Sequence, residues 1–353
     1  MKVNLIGDGM KNGLRILGMG FSCIDIVKNE SEDKFYPGGT AANVLTVLGL
    51  LDLDVNFLLP RYSGKSAQWL NDALSNRNIK LEYFTSTKKY VPQIIEYIDY
   101  STQKHKFITS CPECKNGINN LVLPTEKQAI QVLRDQKCEF SVIFYDRISM
   151  GIRSVVQKSS NAWKYYEPNS FRFYSTFLSC AWNSNILKIS KERFPDTFEK
   201  DLLQDLQDSE VLLIIITLGD KGLKYTLRDQ KGQFKNWSYV KATIPEKFVD
   251  SSGAGDWFSA IFIYELLSDY PYLTRELDEK KIVKKLKLAG RVSAEICGYE
   301  GAQGILADNY GVSRVGKIMK RKFHAVVDSP YVLSDGEENC EVCLSKCYRR
   351  RKD

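Results

Sequence analysis

Residues 250–260 read DSSGAGDWFSA, an acidic, glycine-rich turn that runs straight into the apolar stretch Trp257–Leu267. Asp, Ser and Gly are poor in a helix interior, whereas the stretch after them has the length and composition of a buried helix. The expectation is a strand end at Phe248 and Val249, a tight turn through Gly253, Ala254 and Gly255, and then a helix start. Such a turn points backbone N–H groups outward, and the helix dipole adds to their positive potential. It is an anion site, yet Asp256 sets a carboxylate beside it. The pairing makes chemical sense if a phosphoryl group passes through while Asp256 accepts a proton. On this stretch alone an ordinary helix N-terminus with an acidic first turn stays open as the alternative.

The chain has 353 residues, 43% of them hydrophobic, enough for one large α/β domain or one domain with an appendage. No apolar run is long enough to span a bilayer, and the N-terminal segment lacks a long apolar core with a small-residue cleavage site. A cytoplasmic protein is the expectation. The net charge of +7 is local, concentrated at Arg314–Lys322 and again at Arg349–Lys352. Nucleic-acid binding is the weaker reading of these clusters, because basic helix faces and tails are ordinarily just solvated. With only His105 and His324 in the chain, histidine-based metal chemistry and a Ser-His-Asp triad are disfavoured.

Along the chain, buried strands are expected at Arg15–Met19, 55–60, 140–146, 163–169, 185–190 and 211–220, alternating with helical segments. YPGGTAANVLTVLGLL (36–51) reads as a Gly-Gly turn followed by an apolar helix, and 66–79 as an amphipathic helix. QIIEYIDY and KHKFITS, within 93–110, form a strand pair too polar on one face for a central sheet. Long apolar runs alternating with helices indicate a parallel sheet covered on both faces. From about residue 325 the composition turns polar, Cys-rich and finally basic, unsuited to the main core.

Four features in this order resemble the ribokinase-like sugar kinases, the phosphofructokinase-B family: GGTAANVLTVLGLL, YYEPN, ITLGDKG (216–222) and DSSGAGDWFSA. The resemblance covers roughly residues 14–310. It implies an α/β protein, a three-layer αβα ribokinase-like fold with a small β-lid from elements around 21–40 and 91–117, followed by a tail at 325–353. It further implies transfer of the ATP γ-phosphate, with Mg2+, to a hydroxymethyl group of a sugar or nucleoside. On that pattern Asp256 is the base, and Gly253, Ala254 and Gly255 hold the developing charge. Asp25, Gly38, Gly39 and Asn43 match the sugar-contacting positions, and Thr217, Gly219 and Gly222 the segment lining the nucleotide. A homodimer through the lid is a candidate assembly. One departure stands out: where the family carries Asn-x-x-Glu, whose acid helps hold the magnesium–water network, this chain has Ser190 and Arg193, with Glu192 one position early. A catalytically weak kinase-fold protein that binds through its basic tail is the rival reading, opposed by the intact GAGD.

CPECKNG (111–117) looks like a zinc knuckle, and CEVCLSKC (340–347) offers Cys340, Cys343 and Cys347. Cys111, Cys114, Cys340 and Cys343 are the expected ligands of a structural Zn2+ that would tie the tail to the lid side. Reduced thiols and a redox pair are the alternatives. Cys23, Cys138, Cys180 and Cys297 lie in or beside apolar stretches and read most simply as core.

Overall fold

The computed structural model describes residues 13–28, 33–99, 104–112, 115–136, 139–169, 173–195, 198–269, 276–321, 323 and 326. The chain opens with strands β1 (Arg15–Met19), β2 (Cys23–Lys28) and β3 (Lys34–Gly38), then helix α1 (Thr40–Leu50), β4 (Asp54–Ser63), α2 (Lys65–Ser75) and β5 (Ile79–Tyr90). Strands β6 (Gln93–Asp99) and β7 (Lys104–Ile108) lead to helix α3 (Glu126–Gln136). Strands and helices then alternate: β8 (Val142–Tyr145), α4 (Met150–Lys158), β9 (Trp163–Tyr166), α5 (Tyr174–Ala181), β10 (Ile186–Ser190), α6 (Glu199–Asp205) and β11 (Leu213–Thr217). After β12 (Leu223–Leu227) and β13 (Ser238–Val240) come α7 (Ala254–Leu267), α8 (Glu279–Ile296) and α9 (Asn309–Met319).

Nine strands form one sheet in the order β13-β12-β11-β10-β9-β8-β1-β4-β5. From β5 to β11 every neighbouring pair is parallel, and β12 and β13 close that edge through antiparallel pairings. Alternation along each strand sends side chains to two separate cores, as a period of two requires. Ile16, Phe144, Tyr165, Leu213 and Ile215 pack with the apolar faces of α1, α7, α8 and α9. Leu17, Ile143, Tyr166, Leu187, Ile214 and Ile216 pack with α4, α5 and α6. A parallel sheet covered on both faces is what the spacing of apolar runs anticipates, and the arrangement is the ribokinase-like α/β fold that the motif resemblance implies.

A second, four-stranded sheet has the order β3-β2-β6-β7. Its strands come from the two stretches where the resemblance implies lid elements, and β6 and β7 pair antiparallel, forming the strand pair expected within 93–110. Asp25, in the middle of β2, pairs with Tyr36 on β3 and Ile94 on β6.

Two local expectations are corrected. Phe248 and Val249 end no strand. Phe248 is exposed, and the Val249 N–H donates to the Cys297 carbonyl at 2.7 Å, so an irregular connection is tied to the end of α8 instead of to a ladder. The helix expected over 66–79 stops at Ser75, because Asn78 takes φ 58° and Ile79 begins β5. Asn tolerates that left-handed conformation better than most residues. Among the described residues no helix is long and apolar enough to cross a membrane.

Side chains between the layers carry the stability of this arrangement. Ile215→Ala, at a fully buried position of β11, should cost about 2–5 kcal/mol. Ile244→Ala, on the exposed connection to α7, should stay within about 0.5 kcal/mol. Urea denaturation of the two variants checks the contrast.

Candidate active site

The parallel strands end on one side of the sheet at Gly20, Asp146, Glu167, Ser190 and Thr217, the side where an open α/β sheet ordinarily binds ligands. The start of α7 lies over this edge. Gly253 caps the helix with φ 74°, and a Cβ there would stand 2.4 Å from the Ala302 Cβ, so only glycine fits. The Ala254 N–H turns back to the Ser251 carbonyl at 3.2 Å, while no backbone acceptor for the Gly253 or Gly255 N–H occurs among the described residues. The turn thus offers two open N–H groups at a helix N-terminus, fewer than the three expected from the sequence.

Asp256 sits in the first turn of α7. Its surface is partly open, but its carboxyl is enclosed, and burial together with the nearby Glu167 holds it well above the usual carboxylate range. The Asn43 Nδ2 donates to Asp256 Oδ2 at 2.7 Å. Lys188 and Arg193 act in the opposite direction, favouring the ionised form.

Beneath the turn runs a buried polar network. Lys188 Nζ forms an ion pair with Glu167 and donates to the Gly255 carbonyl at 2.9 Å. The second Glu167 oxygen accepts from Ser259 Oγ, which in turn accepts from the Tyr165 hydroxyl at 3.1 Å. From the other side, Ser252 Oγ donates to Glu96 of β6, linking the small sheet to the glycine turn. Asp250 accepts from the Ser252 N–H at 2.9 Å and from the Gly301 N–H at 2.8 Å.

Asp25 faces Gly38 and Gly39. A Cβ on Gly38 would stand 2.0 Å from Asp25 Oδ2, so the glycine is what admits the carboxylate. Burial pushes the Asp25 carboxyl up to about 6, against hydrogen bonds from the Cys23 thiol and the Gly39 N–H. Cys23, expected as plain core, is buried but belongs to this site, its Sγ 3.1 Å from Asp25 Oδ1. Cys180 is buried as expected, Cys297 is half-buried, and Cys138 lies outside the described residues.

Asp25, Gly38 and Gly39 are thus brought together, and Asn43 joins Asp256. Thr217, Gly219 and Gly222 cluster at the end of β11: the Leu218 N–H donates to the Gly222 carbonyl at 2.7 Å, and Gly219–Lys221 makes a single 3-10 turn. The altered segment keeps its register, with Ser190 opposite Thr217. Arg193 donates to Asn169 Oδ1 at 2.6 Å, and Glu192 Oε1 lies 3.5 Å from where a Cβ on Gly219 would stand. A cation therefore occupies the position where the resemblance places an acid. The glycine turn suits a polyphosphate. For Mg2+ the donor set is thinner, Glu192 being the carboxylate beside the Gly219 segment, and no group of three metal-ligating side chains occurs among the described residues.

Of the expected zinc ligands, Cys114, Cys340 and Cys343 lie outside the described residues, as does Cys347. Cys111 is buried in a tight turn, its N–H donating to the Asn116 carbonyl at 2.8 Å and its carbonyl accepting from the Lys115 N–H at 3.0 Å.

Reading the sequence missed Glu167, Lys188, Glu96, Asp146 and Gln303. Each is a polar side chain buried in or beside an apolar stretch. A charge inside the run NILKIS was the available signal for Lys188, since an ionised group is rarely buried without a partner.

Comparison with known proteins bears on the fold. Residues 191–309 match the profile described as pfkB family carbohydrate kinase. Fructokinase-1 of Zea mays is 28% identical over 160 residues, 42% of this chain and 46% of that protein. The chain thus spans about half the length of the curated relative it matches. A ribokinase structure from Giardia lamblia superposes with a TM-score of 0.68 at 14% identity, covering 87% of this chain and 98% of that one. A fructokinase with bound ATP from Xylella fastidiosa gives 0.64 at 16% identity, covering 87% and 98%. The fold of these kinases is the fold of this chain.

The raised carboxyl of Asp25 has a measurable consequence for stability. Its folded value of about 6 lies above an unfolded value of about 3.9. The folded chain therefore holds the proton more tightly between these values, and stability falls as pH rises through that window. Asp25→Asn removes this contribution. The variant should unfold at higher temperature than the parent at pH 7 and show no such gain below about pH 4, as measured by calorimetry across pH.

Proposed function

We propose that the chain is an ATP-dependent kinase that transfers the γ-phosphate to a hydroxymethyl group of a sugar or sugar-containing small molecule. The observation that carries this reading is Asp256, an enclosed carboxylate one residue beyond a glycine turn with open N–H groups at a helix start. Asp256 takes the proton of the acceptor hydroxyl as its oxygen bonds to the γ-phosphorus. The bond from that phosphorus to the β,γ-bridging oxygen breaks, and ADP leaves. Open N–H groups of the turn and the dipole of α7 stabilise charge on the transferring group. Asp25, beside the Gly38–Gly39 backbone, holds acceptor hydroxyls. Thr217, Gly219 and Gly222 line the nucleotide.

Mg2+ would neutralise phosphate charge, with Glu192 the side chain placed to hold its waters. Arg193 brings a fixed cation toward the same region, and the intact base and turn favour activity over a purely binding role. Sugar and nucleoside acceptors are distinguished by turnover against a panel of both. A structural Zn2+ on Cys111, Cys114, Cys340 and Cys343 rests on the paired Cys-x-x-Cys spacing. About one equivalent of zinc is expected in protein never exposed to chelator, and far less would remove it.

Asp256→Asn should lower turnover by about 100-fold or more while ATP binding is kept, because general-base catalysis is what it removes. Asp25→Ala should raise the acceptor KM and leave the KM for ATP little changed, since it removes uniform binding. Steady-state kinetics on the best substrate of the panel check both. Near-normal turnover in folded Asp256→Asn would overturn the assignment.

A further inference from the structure

Asn43 was expected at the acceptor, but both ends of its amide are engaged within the protein. Its Nδ2 donates to Asp256 Oδ2 at 2.7 Å, and its Oδ1 accepts from Gln303 Nε2 at 2.9 Å. Gln303 Oε1 accepts in turn from Arg77 Nε at 3.1 Å. Arg77, Gln303 and Asn43 are 1%, 2% and 4% exposed, so water does not compete for these contacts. The chemistry at the two ends fixes the polarity of the chain. Arginine only donates and an ionised carboxylate only accepts, so each amide between them has a single orientation that satisfies both neighbours. Gln303 Nε2 also donates to the Pro37 carbonyl at 2.6 Å, which ties the same amide to the glycine turn beside Asp25. Arg77 is anchored by its own donation to the Ala73 carbonyl at 2.6 Å, at the end of α2.

We propose that Arg77, Gln303 and Asn43 form a buried positioning relay that holds the Asp256 carboxylate in the orientation a base requires. The proposal rests on the kinase reading for its catalytic consequence. Asn43 is then a positioning residue for the base, and its amide carries the polarising effect of the Arg77 charge through Gln303 to Asp256. Glu167, Lys188 and Arg193 also face Asp256, from the end of β9, the middle of β10 and the turn that follows β10. Hydrogen bonds polarise one another along such a chain, so losing the middle link weakens both ends.

Gln303→Met keeps the volume of the side chain and breaks both amide links. It should lower kcat by about 10-fold through loss of orientation, leave the KM for ATP unchanged and move the acid limb of the kcat profile to higher pH. The sign follows from the contact: a hydrogen bond to the ionised carboxylate favours it, so its loss raises the pH at which Asp256 ionises. Carbon-13 NMR of the Asp256 carboxyl, assigned with Asp256→Asn, reads the same upward displacement in full-length protein without ATP or acceptor. If Gln303→Met does not fold, Gln303→Glu retains a partner for Arg77 but cannot donate to Asn43, and the kinetic and NMR changes are expected there. An unmoved Asp256 titration with unchanged kcat in a folded variant overturns the relay. A moved titration in a protein whose parent phosphorylates nothing in the panel upholds the relay and overturns the kinase reading instead.

Discussion

Between Asp250 and Asp256 the chain must turn sharply, leave N–H groups open and hold a carboxylate still, and a different part of the fold meets each demand. The Gly301 N–H anchors Asp250, and Glu96 of the small sheet takes the Ser252 hydroxyl. Lys188, held by Glu167 at the end of β9, donates to the Gly255 carbonyl. Asn43 at the start of α1 donates to Asp256, and the Trp257 indole donates to the Ala302 carbonyl at 2.9 Å. Strand ends, small sheet and the loop after α8 therefore converge on one helix start. The nine-stranded sheet supplies the rigid base for this convergence, because its central strands are buried on both faces and cannot shift without opening a core.

Enclosing so many charged groups has a thermodynamic cost that the core must offset. Asp25 and Asp146 are both pushed up to about 6 by burial, and Asp256 is raised as well. Asp146 is nearly fully buried, accepting from the Phe21 N–H at 2.9 Å and paired with Arg147 at 2.7 Å. Carboxyls displaced in one direction at the end of β8, in the small sheet and at the start of α7 are typical of a site that handles protons, and such sites lower stability for the sake of function. Arg193, Lys188 and Arg147 limit the accumulation of negative charge. Arg193 then places a permanent cation where the resemblance to the family pattern implies an acid, which alters the local field without disturbing the strand register.

Much of the architecture is legible in the sequence because parallel central strands are apolar on both faces: the runs at 55–60 and 211–217 announce themselves. The glycine turn and the helix start at Asp256 are equally legible, since two glycines and an acid ahead of an apolar run mark a turn into a helix; the chemical role of the acid becomes legible only through the family pattern around it. Contacts between distant segments are not legible. Gln303 meets Asn43 across 260 positions and Glu96 meets Ser252 across 156, and no local pattern marks either pair. Strand β5 escaped notice because its mixed polarity, from Ile79 to Tyr90, reflects its place at the sheet edge. Phe248 and Val249 misled in the other direction, being apolar in a connection whose backbone bonds go to Cys297.

The central claim is one of position: the transferred phosphate and the acceptor hydroxyl meet at the start of α7. A crystal structure with a non-hydrolysable ATP analogue and the preferred acceptor measures it directly. The acceptor's hydroxymethyl oxygen should lie about 2.6–3.2 Å from an Asp256 carboxylate oxygen, the reach of a general base, with the terminal phosphate against the Gly253–Gly255 turn. A terminal phosphate bound elsewhere, or an acceptor hydroxyl that addresses another side chain while Asp256 stays on Asn43 alone, would contradict the account.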